Sequence, residues 1–510
     1  MSRISAFPRG RLVAVLTACA AVGLAGCTSA STGPSTGPSA GPSTEPSSAP
    51  PSVTGTSAPA SVAAGVESAI EPVVERGSHI TLTAAESQVP YDGTERWAMT
   101  YNGHATGPTI RVHPGDHFSI TLVNDLQEPT NLHTHGLHVA PSQDNPFIMI
   151  EPGQSHTYQY DVPADQQAGT YWYHPHMHGL TAEQVASGLS GAIIVEDSTD
   201  AALATATTDR VLVVTDPPLT QANPWGRSGS SSGSSSGHMM GGMMMSGSGS
   251  SGVDMMTAMM GRSGPRILTN GQDGVRLQPQ AGLLERAHVV NATASTRLLL
   301  TYDGPAMIRL SAEGGRLPAP EAVSQVELAP GERTELALAA GAQGGRLVAQ
   351  RLSNEAGGGP LGVPELVAQV DPRAGGDVSV LPRTLQADTR DLFAPGTPIA
   401  QQRVITLDGH MNPTIDGRPF DPDVVNFTAR KGTVEEWVIR NNSPMYHPIH
   451  LHAWPFQVKG EEGWQDVVTV APKSEQVIRV AYDDFGGTTV IHCHILDHED
   501  TGMMAVIKVE

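Results

Sequence analysis

The strongest constraint on the fold of this chain is a turn-and-strand unit that recurs at fixed spacing. Pro114-Gly115-Asp116 opens a stretch that closes at Asn124, nine residues after the glycine. Lys431-Gly432-Thr433 opens another, through Glu436-Trp437-Val438-Ile439, which closes at Asn441, again nine on. A weaker copy runs from Gly282 to Asn291. In the first unit Phe118, Ile120 and Leu122 alternate with His117, Ser119 and Thr121, the period-two pattern of a strand with one buried face. Three such units in tandem predict three related β-sandwich domains. The 510 residues exceed one ordinary domain, and abundant Gly (55) and Pro (40) with only 16% charged residues suit short strands joined by turns.

The formal net charge of −21 argues against nucleic acid or anionic lipid headgroups as partners, and favours cationic substrates, metal ions included. Arg3, Arg9 and Arg11 precede an apolar run from Leu12 to Leu24, too short for a stable transmembrane span and readable as a signal peptide. It ends in Leu24-Ala25-Gly26-Cys27, which resembles a bacterial lipoprotein cleavage box with Cys27 as the acylated residue. The alternative is an ordinary secretory signal with an incidental cysteine. The expectation is export, with a lipid anchor on the extracytoplasmic face of the cell membrane: signal peptide 1–26, then a Ser/Pro/Gly-rich tether over 27–75, a composition that cannot bury enough surface to fold. No feature specifies an oligomer, and a monomer is the default expectation.

The repeat carries histidines with it. Nine residues past Asn124 comes His133, then His135; nine past Asn441 comes His450, then His452. Nine past Asn291 stand Leu300 and, two further, Tyr302. Near the end of each outer domain Gly169-Thr170 precedes His174-Pro175-His176, and Gly487-Thr488 precedes His492-Cys493-His494. Residues i and i+2 of a strand face one side, so each His-x-His offers two imidazoles to one surface. One such pair means little among 20 histidines; four at equivalent positions point to a metal site. Eight imidazoles from the first and third domains converge only if those domains pack together, with a polynuclear site between them and the middle domain as a spacer.

Only Cys19, Cys27 and Cys493 occur, so after cleavage Cys493 is the one thiol and cannot form an intramolecular disulfide. It lies between His492 and His494, and its sulfur therefore points to the opposite face of the strand. A thiolate with two histidines and a weak axial thioether makes a blue-copper electron-transfer site, and His447, His498 and Met503 are at hand. One strand then touches both centres.

In order, and over nearly the whole mature chain, His133-Thr134-His135-Gly136, His174-Pro175-His176, His447-Pro448-Ile449-His450-Leu451-His452 and His492-Cys493-His494 with His498, Gly502 and Met503 resemble the four copper-binding blocks of the multicopper oxidases. The resemblance implies an all-β chain of three cupredoxin-like Greek-key sandwiches, placed at 76–200, 201–385 and 386–510, with four coppers and reduction of dioxygen to water. It implies His447, Cys493, His498 and Met503 as type 1 ligands, and His133 and His450 as type 2. His135, His174, His176, His452, His492 and His494 would hold the type 3 pair. A methionine at Met503 looks like the lower-potential variant. Asp144, nine residues past His135, and Glu499, beside His498, resemble the family's proton donors, the alternative for each being a solvated acid.

The reductant is hinted at by residues 228–261, a Ser/Gly-rich insert in the second domain. It carries His238 and Met239, Met240, Met243, Met244, Met245, Met255, Met256, Met259 and Met260, half of the chain's 18 methionines. Thioether sulfur selects Cu(I), and a helix over 255–260 would pair 255 with 259 and 256 with 260 on shared faces. The alternative is a protective or filler insert. Met445, two residues before His447, is a further candidate for Cu(I) capture, whereas Ser443 stands where copper-tolerance oxidases carry an acid. The expected function is a cuprous oxidase for copper tolerance; the alternatives are a laccase-like oxidase of phenols, a ferroxidase, or a copper-binding protein without turnover.

Overall fold

A computed structural model describes residues 73–510, apart from 92, 219, 222–223, 225–254, 281, 373–378 and 410–411. The expectations for the signal peptide, for Cys27, for the tether before residue 73, and for His238 and Met239 to Met245 lie outside the described residues. None of the described helices is long and apolar enough to cross a membrane.

The repeat unit is a strand in all three copies. His117–Asn124, Leu284–Asn291 and Val434–Asn441 each pair in parallel with a preceding strand (His79–Tyr91, Thr207–Thr215 and Gln401–Asp408) and antiparallel with a following one (Ser155–Asp161, Arg333–Ala339 and Glu475–Ala481). A second sheet accompanies each of these three, giving six sheets in all among the described residues. In the first and third pairs the second sheet holds His133–His135 beside Gly169–His174, and His447–Leu451 beside Gly487–Cys493. The middle counterpart is Arg297–Tyr302 beside Gly345–Leu352.

The asparagine that ends each unit recurs for a reason that becomes visible in three dimensions. Asn124, Asn291 and Asn441 are buried, and each accepts from the N–H two residues on: Leu126, Thr293 and Ser443. Each donates through Nδ2 to the carbonyl of Ile150, Leu328 or Val470. Each of these carbonyls lies two residues before a turn, at Pro152-Gly153, Pro330-Gly331 and Pro472-Lys473, whose second residue has positive φ in every copy. An amide with both a donor and an acceptor is what it takes to stitch two buried chain reversals together without orphaned polar groups.

Each sheet pair encloses its own apolar core. One contains Ile120, Leu122, Tyr171 and Ile193, the next Val289, Leu298, Leu300 and Leu336, the third Trp437, Ile449, Ile491 and Cys493. The sandwiches are joined by smaller clusters. Trp172, Ile194, Val213 and Val290 link the first to the middle one, while Ala182, Val185, Ala294 and Leu496 bring residues of all three together.

Candidate metal centres

Strand pairing sets the two histidine-rich strands of the third sandwich in register: Ile449 faces Cys493 and His450 faces His492. Side chains alternate along a strand, so Cys493 points inward, into the apolar core, while His492 and His494 point out. His447 is an odd number of residues from His450 and takes the inward side. Its Nδ1 lies 3.5 Å from Cys493 Sγ, and His498 Nδ1 lies 3.7 Å from the same sulfur. His498 comes from the short helix Leu496–Asp500. Met503 is buried in the same core cluster as Cys493, and its main chain is bound on both sides, to His498 O and from Cys493 N.

On the outer face the four His-x-His pairs do converge. Their ring nitrogens gather into the sets His133, His135 and His450; His135, His174 and His494; and His176, His452 and His492. Ring nitrogens meet at 3.2 Å for His133 Nε2 with His450 Nε2, and for His492 Nε2 with both His176 and His452. Burial and mutual repulsion hold the rings of His133, His135, His174, His452, His492 and His494 well below the ordinary imidazole range, and bring His176 down to about 4. The rings are therefore neutral, the form that ligates metal.

Their other nitrogens decide which lone pair is presented. Carbonyls only accept, so His174 Nδ1 donates to Pro175 O at 2.7 Å, His450 Nδ1 to Asp466 O at 2.8 Å and His492 Nδ1 to Cys493 O at 3.1 Å. Asp144 Oδ2 takes the Nδ1 proton of His133 at 2.7 Å. Each of these rings turns Nε2 to the cluster. At Cys493 the polarity is reversed. His498 Nε2 donates to Met259 O at 2.9 Å and His447 Nε2 binds Ser443 Oγ at 2.7 Å, leaving Nδ1 toward the sulfur. Such outer hydrogen bonds fix tautomer and ring orientation.

The donor set fits copper. Nε2 of His135, His174 and His494 is buried with no hydrogen-bond partner, as lone pairs awaiting a cation would be. Facing nitrogens at 3.2 Å repel unless a proton or metal ion lies between them. Burial pushes the Cys493 thiol up, so a thiolate there requires a bound cation. Soft sulfur with imidazole suits copper.

Asp144 and Glu499 are both buried against the cluster. Asp144 also accepts from Thr134 N at 2.8 Å and lies 3.7 Å from His452 Nδ1. Glu499 Oε2 lies 3.0 Å from His492 Nδ1 and Oε1 3.5 Å from His176 Nε2, and burial pushes its carboxyl up. Met255–Met260 is a helix, and Met259 and Met260 in it are half-buried; the side chains of Met255 and Met256 lie outside the described residues. The helix runs into Gly261-Arg262, where Arg262 N and Nε bind the two oxygens of buried Asp497 at 2.6 and 2.9 Å. Met445 is buried rather than open to solvent.

Sequence reasoning missed three groups. Asp466 lies 3.1 Å from His135 Nδ1, and Arg333 of the middle sandwich lies 3.4 Å from the same nitrogen. The middle sandwich is thus more than a spacer: it touches the cluster. The proline turns at 152, 330 and 472 were the available signal, since Arg333 opens the strand that follows the second of them. The third group, Met259 O, is main chain and leaves no sequence signal.

Fold and site together define a cupredoxin-type redox metalloprotein. Family models described as multicopper oxidase match residues 83–200 and 396–510. The chain is 28% identical to multicopper oxidase mco of Staphylococcus haemolyticus, over 81% of this chain and 83% of that protein. It is also 27% identical to cell division protein FtsP of Photorhabdus laumondii, over 84% and 88%. A solved multicopper oxidase of Campylobacter jejuni, described as a metallo-oxidase, superposes with TM-score 0.70 at 25% identity, over 87% of this chain and 96% of that one. The chain is thus similar to the multicopper oxidases in both outer sandwiches and over most of its length.

Proposed function

We propose that this protein is an exported cuprous oxidase of copper tolerance, taking electrons from Cu(I) at the Cys493 centre and delivering them to dioxygen at the histidine cluster. Likeness to a protein named for cell division means that the fold by itself does not argue for turnover. The complete ligand set does, because a passive copper carrier needs no eight-imidazole cluster beside its thiolate centre. His447, Cys493, His498 and Met503 would hold type 1 copper, His133 and His450 type 2, and His135, His174, His494, His176, His452 and His492 the type 3 pair. Copper there, four ions per chain, supplies one-electron acceptance at the first centre and four-electron reduction of dioxygen to water at the second.

The residues of the chain do the rest. Cys493 and its neighbours His492 and His494 span the two centres within one strand segment, so the electron path is short and mostly covalent. Asp144 and Glu499 sit against cluster ligands in a buried site, where reduction of dioxygen consumes protons that bulk water cannot deliver directly. Glu499 keeps its proton more readily than an exposed glutamate, which suits a donor.

The observation that carries the choice of Cu(I) is the bond between Met259 O and His498 Nε2. The end of the methionine-rich segment is seated on the outer edge of a type 1 ligand, and Ser443 covers the corresponding edge of His447. Both rings are buried, each 1% exposed. A planar phenol has no open imidazole edge to meet, whereas an ion passed between thioethers needs none. Met259, Met260 and Met445, with Met239, Met240, Met243, Met244, Met245, Met255 and Met256 upstream, are the proposed capture groups.

Deleting residues 230–260 and comparing oxygen consumption with Cu(I), Fe(II) and a phenol on one copper-loaded preparation tests this. Loss of Cu(I) oxidation with phenol oxidation kept or raised is the expected result. Equal Cu(I) oxidation with and without the segment would refute the capture role and leave the laccase-like reading.

A further inference from the structure

The copper-binding blocks of this chain come from the two outer sandwiches, yet a side chain of the middle one is built into the cluster. Arg333 opens the strand Arg333–Ala339. Its guanidinium grips Asp466 of the third sandwich with both arms, Nη1 to Oδ1 at 2.8 Å and Nη2 to Oδ2 at 2.7 Å. The two side chains are 0% and 4% exposed. The middle sandwich holds Asp466 by its main chain too: Glu313 accepts from Asp466 N at 2.6 Å and from Val467 N at 3.0 Å.

What the grip orients is a pair of metal ligands. Asp466 Oδ1 lies 3.1 Å from His135 Nδ1 and 3.4 Å from His450 Nδ1, whose proton goes to Asp466 O at 2.8 Å. One carboxylate thus touches a ring assigned to type 3 copper and a ring assigned to type 2. Two glycines make room for the close approach of these groups. At Gly136, whose φ is +89°, a Cβ would fall 2.5 Å from Arg333 Nη2 and 2.6 Å from Asp466 Oδ2. At Gly331, two residues before Arg333, a Cβ would fall 2.9 Å from His494 and 3.1 Å from His135 Nε2.

A pair meant only to dock two domains gains little from such depth, since full burial of both ions costs about as much as their attraction returns. A carboxylate that must hold two imidazoles at fixed angles does gain, because a guanidinium fork fixes its plane as a lysine would not. We propose that Arg333 is a positioning residue of the trinuclear site. It sets Asp466, whose carboxylate lies against His135 and His450 and whose main-chain oxygen takes the Nδ1 proton of His450 and so turns that Nε2 to the metal, so that the sandwich without ligands is still required for the cluster. The inference rests on reading the eight imidazoles as a trinuclear copper site.

The test uses the full copper-loaded protein, with Arg333→Lys, which keeps the charge and loses the fork, and the double variant Arg333→Met/Asp466→Asn, which removes both charges of the pair. Copper per chain, the paramagnetic signal of type 2 copper, its rate of extraction by a chelator and the blue absorbance are read together. We expect the blue band unchanged in both variants and type 2 copper extracted about 10- to 100-fold faster, the usual cost of losing an outer partner of a ligating histidine. Wild-type copper content and extraction rate in both variants would overturn the inference and reduce the pair to a structural one. A wild-type protein that shows the blue band and no type 2 signal would overturn the trinuclear reading itself, and the inference with it.

Discussion

The main-chain oxygen of Met259 lies 2.9 Å from Nε2 of His498, so a helix of the middle sandwich closes over a ring that flanks Cys493 in the third. The lid is latched by Arg262, which binds both carboxylate oxygens of Asp497, the residue before His498. Arg262→Ala removes the guanidinium arm and loosens the helix. The expected outcome is a several-fold rise in oxygen consumption with a phenol relative to Cu(I), with the blue band kept. An unchanged ratio would show that the helix is not what keeps organic donors out.

Cys493→Ser should abolish the blue colour and turnover while the histidine cluster still takes up copper. The sulfur lies on the inner face of its strand and His492 and His494 on the outer, so the substitution removes one centre and leaves the ligands of the other in place. Metal analysis beside the absorbance spectrum checks this; a colourless protein that still oxidises Cu(I) at the wild-type rate would contradict it.

Asp144→Asn and Glu499→Gln should each slow reoxidation of the reduced protein by dioxygen, by about 100-fold or more for loss of a positioned proton donor, with the blue band intact. The two differ in a second effect. Asp144 also takes the Nδ1 proton of His133, so its replacement should weaken type 2 copper, whereas Glu499→Gln should not. Stopped-flow reoxidation checks the shared effect and the type 2 copper signal separates the two, and unchanged rates in both would remove the carboxylates from the proton path.

Away from the metal centres, His288 should make stability depend on pH. The ring is buried, which lowers its pKa, but Asp209 Oδ1 at 2.8 Å and Glu335 Oε1 at 3.4 Å outweigh burial and the nearby Arg286, and raise it overall. A histidine raised in the folded state stabilises fully below its unfolded pKa of about 6.5 and loses that contribution as pH climbs through the folded value. Melting temperature should therefore fall as pH rises above about 6.5, and His288→Gln should flatten that limb. Parallel slopes for the two proteins would rule the residue out.

Much of the site was legible because its geometry is local. His-x-His on a strand fixes two imidazoles on one face, and the odd offsets of Cys493 and His447 put them on the other, whatever the rest of the chain does. The histidine rings of the four pairs gather into three triads, and the fold class follows from the repeat. The tautomers were not legible. They depend on Pro175 O, Cys493 O and Asp466 O, and main-chain acceptors carry no residue code. Nor was the relation of the methionine-rich insert to the Cys493 centre, since the insert and His498 are more than two hundred residues apart.

By itself the sequence determined a set of strand units with their stitching asparagines, and which faces of those strands carry nitrogen and sulfur, because both follow from a period of two. Tertiary structure alone decided that a sandwich without ligands reaches both centres, with Arg333 behind the cluster and Met259 over His498. The physical reason is packing: contact between domains is set by how buried surfaces dock, and no spacing along the chain encodes it.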